Sequence, residues 1–260
     1  MDEPQVGCAV EAGVARLVIQ RERQRNALSP QVIQELFAHL DALERDGAVR
    51  VVILTGQGEK AFCAGADLGG MAQEGGFLGV HDARRQYGRL LERLSSFPRP
   101  TVARVNGHAL AGGLGLVLAC DLAVAAEDVQ LGTPEIDRGL FPMMVMALLQ
   151  RHVWRKRALE WVMTGARYPA AEALSAGLLS RVVPRAELDA QVDALARTLA
   201  GKSRAVLALG KRAFLAAEDL PLGPALELLA AQLSLNTLAD DAAEGVSAFL
   251  EKRAPAWKDQ

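Results

Sequence analysis

Residues 105–121 read VNGHALAGGLGLVLACD, a small apolar run interrupted by Asn106, Gly107, Gly112, Gly113 and Gly115. A glycine inside a helix or strand costs about 0.5–1 kcal/mol relative to alanine. The segment continues as LGLVLA (114–119), which predicts a buried helix, so the backbone freedom is concentrated just before a helix start. Backbone of that kind can approach a bound molecule closely and aim its N–H groups at it, in a place where the helix dipole favours negative charge. The same glycines would equally serve tight turns and close helix–sheet packing.

Working outward, VARLVIQ (14–20), VRVVILTG (49–56), TVARV (101–105) and LAVAA (122–126) predict buried strands. A helix between the first two starts with Ser29 as cap and Pro30 at the first helical position. Its apolar residues Val32, Ile33, Leu36, Phe37, Leu40 and Leu43 recur at helical spacing. A second helical stretch ends at SSFPRP, where Pro98 and Pro100 forbid continuation. Alternation of strand and helix predicts an α/β layout with parallel pairing. Residues 67–82, DLGGMAQEGGFLGVHD, read as a loop, either a lid beside a site or plain surface. From residue 186 the pattern is wholly helical and rich in alanine and leucine. The expected division is a core over 1–185 and a helical oligomerisation subdomain over 186–260.

The 260 residues carry 29 basic and 31 acidic side chains, a net charge of −2 that attracts neither nucleic acid nor an anionic membrane. The opening MDEPQVGCAVEAG lacks the basic and apolar regions of a secretion signal. Cys8, Cys63 and Cys120 and the four scattered histidines share no metal-ligand spacing, so no metal is expected and a cytoplasmic location is.

A second strand-then-glycine segment, GQGEKAFCAGADLGG (56–70), parallels the first. Two such loops could aim two N–H donors into one cleft, the arrangement that stabilises an oxyanion at about 2.7–4 kcal/mol per donor. The segments GEKAFCAGADL, RVNGHALAGGLGLVLACDLAVAAEDVQLGTPEI and EGVSAFLEKRAPAWKD, in order and spacing, resemble the enoyl-CoA hydratase/isomerase (crotonase) superfamily from about residue 10 to 258. The resemblance implies a spiral of β-β-α units, a C-terminal helical trimerisation region, and trimers often paired into hexamers. It implies an acyl-CoA substrate, with CoA as part of the substrate rather than a separate cofactor. The thioester carbonyl would be held by the N–H groups of Ala66 and Gly112. Lys60 and the backbone of Ala64, Ala66 and Leu68 would meet the nucleotide end. Phe249 and Lys252 would reach CoA, in several relatives from a neighbouring subunit.

Hydratases of this superfamily flank the attacking water with two glutamates. The second matches Glu135 in LGTPEI, whereas the first position is Gly115, which has no side chain to hold water. Met143 and Met144 follow where relatives carry small residues, and are expected to crowd or dry that place. One carboxylate suffices to move a double bond, because it can take a proton from Cα and return it at Cγ. Asp137 is the reserve carboxylate, facing the same way as Glu135 only if the chain is extended there. Asp67 reads as loop-fixing and Asp121 as structural, while Tyr87 and Tyr168 have no motif support as proton donors. The expected activity is double-bond isomerisation with Glu135 as base. Enoyl-CoA hydration and a catalytically weak acyl-CoA-binding protein are the alternatives.

Overall fold

A hairpin opens the chain. Strand β1 (Val6–Glu11) pairs antiparallel with β2 (Val14–Ile19) through a two-residue turn in which Ala12 and Gly13 both have positive φ. The computed structural model describes residues 3–67 and 76–259. β1 lay outside the sequence expectation because it is an edge strand: only Val6 is buried, so no in–out alternation marks it.

Helix α1 (Pro30–Arg45) starts as predicted, with the Ser29 hydroxyl accepting the Val32 N–H at 3.2 Å. The chain then runs through β3 (Val51–Gly56), β4 (Ala61–Cys63), α2 (Gly76–Ser95), β5 (Thr101–Val105), β6 (His108–Leu110) and α3 (Gly112–Ala119). It continues through β7 (Leu122–Ala126), β8 (Gln130–Gly132), a 3₁₀ turn over Pro134–Arg138, α4 (Met143–His152) and α5 (Arg155–Thr164). After β9 (Arg167–Pro169), α6 (Ala170–Ser175) and β10 (Arg181–Val183), only helices follow. These are α7 (Leu188–Ala200), α8 (Arg204–Ala217), α9 (Leu222–Asn236) and α10 (Asp240–Leu250), beside a short 3₁₀ turn at Arg185–Glu187.

Two sheets carry the spiral. One has the order β1-β2-β3-β5-β7-β10, and the other β4-β6-β8-β9. β3, β5 and β7 each hand the chain from the larger sheet to β4, β6 and β8 of the smaller, and neighbouring turns pair in parallel. The three-residue strands are too short for a periodic signal, so sequence periodicity finds one sheet and misses the other. The expected loop over 67–82 is helical from Gly76, where α2 begins, and residues 68–75 fall outside the described residues.

Helix α3 is buried along its whole length and is the centre of the core. It approaches β4 so closely that a Cβ on Gly113 would overlap the Cys63 carbonyl. Helix α7 packs Leu188, Val192 and Ala196 on the larger sheet, whereas α9 buries no residue at all. Among the described residues no helix is long and apolar enough to cross a membrane.

The α3–β4 approach makes a direct prediction. Gly113→Ala should destabilise the fold by about 1–3 kcal/mol through overpacking. Thermal unfolding should show a melting temperature lower by several degrees, with about 2–4 °C per kcal/mol expected at this size.

Candidate active site

The loop after β4 is laced to the segment before α1. Ala64 N–H donates to the Arg25 carbonyl (3.1 Å), Leu28 N–H to Gly65 (2.8 Å), and Asp67 N–H to Leu28 (3.0 Å). Leu28 and Ala66 thus form a parallel bridge in which Leu28 uses both its backbone groups, and Ala66 turns its own N–H to the other side. Arg21 holds the loop further, bonding Asp67 at 2.7 Å and the Ala27 carbonyl at 2.6 Å. Asp67 therefore fixes the loop, as expected of it.

The second loop meets the first at Gly65 and Gly112. Gly65 has φ +95°, and a Cβ there would lie 2.7 Å from Ala111 Cβ and 3.1 Å from Gly112 N. Ala111 itself sits at φ 53°, ψ −127°, a region costly for any residue with a side chain. Its N–H donates to Gly132 (2.8 Å), which pins the strained residue. Gly112 follows as the first residue of α3, where an intrahelical partner for its N–H does not exist. Neither Ala66 N–H nor Gly112 N–H donates to another described residue. Gly112 is buried and Ala66 is exposed, so one donor lies at the base of the seam and the other at its open side.

Two asparagines hold these loops: Asn26, which the sequence reading missed, and Asn106, read there only as a turn-prone residue. Asn26, fully buried at φ 55°, donates to Gln57 and Ala61 and accepts from Arg21 N–H. Asn106 donates to the Gly58 carbonyl and accepts from Thr55 and Gly56. Their signal was a short polar residue beside strand ends, which turn chemistry alone also explains.

Glu135 is the second residue of the 3₁₀ turn and is half-buried. Its Oε2 is buried with no hydrogen-bond partner among the described residues. Burial pushes the Glu135 carboxyl above the ordinary glutamate range, against a lowering pull from the backbone and Arg138. Asp137 does not share its direction. The turn places Asp137 in the open, with its carboxylate 3.0 Å from where a Cβ on Gly165 would stand. The two methionines of the expected crowding differ in burial. Met143 is exposed, with Ile136 and Leu140, in an apolar rim around the Glu135 turn, while Met144 packs on the core.

Tyr87 is the unforeseen neighbour. It comes from α2, is 8% exposed, and donates its hydroxyl to the Gly112 carbonyl at 2.7 Å. Burial holds this phenol well above its usual range, aided by Cys63 and by the Glu135 carboxylate.

Lys60 and Ala64 line a cavity of about 560 Å³ together with Arg25, His108, Arg167 and Arg185. Arg185 is paired with Asp128 at 2.8 Å. The cavity adjoins the Ala66 loop at Ala64 but is lined by neither Gly112 nor Glu135. Leu68 lies outside the described residues. Phe249 and Lys252 stand exposed at the end of α10, Phe249 at 80%.

This is the architecture of the crotonase superfamily, with two backbone donors that no described residue uses and a half-buried carboxylate whose Oε2 has no described partner. The enoyl-CoA hydratase/isomerase family model matches residues 9–260, and the chain belongs to that family. It is 36% identical to human enoyl-CoA hydratase domain-containing protein 3, mitochondrial, over 94% of this chain and 80% of that one. The crystal structure of an enoyl-CoA hydratase from Mycobacterium smegmatis superposes with a TM-score of 0.94 at 36% identity, covering 98% of this chain and 99% of that one. The corresponding structure from Bacillus anthracis gives 0.94 at 34% identity, covering 98% and 100%. The protein is an enzyme of this superfamily.

The Glu135 environment predicts a pH signature. A carboxyl with a raised folded pKa contributes stability below its unfolded pKa and loses it as pH rises through the folded one. Glu135→Gln should therefore raise the melting temperature at about pH 8 and leave it nearly unchanged at about pH 4. A variant equally affected at both values would show that burial is not what shifts the group.

Proposed function

We propose that the enzyme moves the double bond of an enoyl-CoA thioester, with Glu135 as its only proton-transfer group. The observation that carries this reading is the half-buried Glu135, whose Oε2 is buried and unpartnered among the described residues, in a chain whose residue 115 is a glycine with no side chain. Ala66 and Gly112 N–H groups would hold the thioester oxygen. Glu135 takes a proton from Cα of a 3-enoyl thioester, and the electron pair spreads onto that oxygen as an enolate. The proton returns from Glu135 to Cγ, the Cβ–Cγ double bond becomes Cα–Cβ, and the carboxylate is regenerated. The cationic cavity of Arg25, Lys60 and Arg167 suits the phosphates of CoA, and the rim of Ile136, Leu140 and Met143 suits an acyl chain.

Hydration of a 2-enoyl-CoA is the second reading, favoured by the names that similar proteins carry. It lacks a second carboxylate here, because Asp137 faces away. Incubation with 2- and 3-enoyl-CoA in heavy-oxygen water separates the two by product mass. Isomerisation should exceed hydration, and Glu135→Gln should lower it by about 10²–10⁴-fold. Asp137→Asn should cost less than about threefold, since an exposed carboxylate outside the proton path carries no such share of the barrier. Efficient hydration that survives Glu135→Gln and is lost in Asp137→Asn would overturn both base and reaction.

The oligomer we propose is a trimer or pair of trimers, resting on the apolar residues that α8–α10 leave exposed. Leu222 and Leu238 are 76% and 79% exposed, a liability in a monomer. Phe249 and Lys252 would then reach CoA bound to a neighbour. Light scattering at micromolar concentration should give a mass three or six times that of the chain, and a stable monomer would refute this. We further propose a cytoplasmic location, on unpaired and buried Cys63 and Cys120.

A further inference from the structure

The space that a side chain at position 115 would enter is already taken. A Cβ on Gly115 would overlap the Tyr87 hydroxyl and lie 3.3 Å from Val145 Cγ2. The same hydroxyl stands 3.3 Å from where a Cβ on Gly112 would be, so the phenol lies over the first turn of α3. It arrives from α2, a different turn of the spiral, and is anchored there by its bond to the Gly112 carbonyl.

We infer that Tyr87 is a specificity-determining residue whose buried hydroxyl occupies the place from which a second carboxylate would hold water, so that the proton on Glu135 returns to carbon. This rests on the single-carboxylate reading above. Sterically, the phenol oxygen and Val145 close the wall that faces the missing side chain. Chemically, the one hydrogen of the hydroxyl is committed to the Gly112 carbonyl, which leaves no donor to hand a proton to substrate. The un-ionised phenol is no base either, because burial and neighbouring negative charge hold it protonated. Tyr87 therefore excludes water without replacing the lost acid.

The test compares native enzyme with Tyr87→Phe and Tyr87→Ala on 2- and 3-enoyl-CoA in heavy-oxygen water. The measured quantity is the ratio of water-added product to isomer. The ratio should rise from native through Phe, which opens room for one oxygen, to Ala, by about tenfold for Ala, equivalent to about 1.4 kcal/mol between two barriers. A merely structural tyrosine would lower both activities together and leave the ratio fixed, which would overturn the inference. If Tyr87→Ala does not fold, coupling decides. Gly115→Ala should lower the melting temperature in the native background and be tolerated in the Tyr87→Phe background. Equal damage in both would likewise refute the assignment. Native isomerisation with an unchanged ratio in Tyr87→Ala sinks the Tyr87 role alone. Native hydration that Tyr87→Ala raises further sinks the isomerase reading alone.

Discussion

Helix α3 and strand β4 stand at a separation that only glycine permits, and the candidate active site is built on that contact. Gly113 leaves room for the Cys63 carbonyl, and Gly65 leaves room for Ala111 and the Gly112 nitrogen. The approach forces Ala111 into a backbone conformation that costs on the order of 1–3 kcal/mol. Burial of the whole of α3 offsets it, since each buried leucine or valine contributes about 1.5–3 kcal/mol. Two loops from different turns of the spiral are thereby held edge to edge, with Ala66 and Gly112 at the seam. A looser contact would let either N–H rotate toward an internal partner.

Around that seam the polar groups are almost all satisfied, which makes the exception informative. Asn26 and Asn106 are fully engaged with backbone on both loops, and Arg21 bridges Asp67 to Ala27. A buried polar group without a partner costs about 1–3 kcal/mol. Glu135 Oε2 is left in that condition among the described residues. On the proposed reading, fixed donors and an unsatisfied carboxylate need no reorganisation at the moment of reaction, the property that electrostatic catalysis requires.

Legibility from sequence followed length of element and specificity of motif. The four strands of the larger sheet with continuous apolar runs, the Ser29 cap and the four terminal helices could all be read directly. The smaller sheet could not, because strands such as His108–Leu110 and Gln130–Gly132 are too short to show a period. Whether Asp137 shares the direction of Glu135 depended on turn geometry that only the 3₁₀ conformation decides. Tyr87 was passed over because its meaning is tertiary. It lies 28 residues from Gly115 in the chain, and nothing in the local pattern of α2 says which side chain it will meet.

That pairing also explains why the departure at position 115 is more than a deletion of one functional group. A tyrosine on α2 can stand over the first turn of α3 only if residue 115 has no Cβ. Conversely, a glycine at 115 without the tyrosine would leave a hollow beside Glu135, open to water and poorly packed. Each residue makes the other tolerable, so glycine and tyrosine form one unit shared by two turns of the spiral. A carboxylate could not be restored there by a single change, because its Cβ would meet the phenol before its oxygens reached the substrate. In the proposed mechanism the spiral supplies the oxyanion donors and the base in any case. The fate of an enolate held there would depend on which atom the second wall presents to it, and that wall presents a hydroxyl already bonded to the backbone.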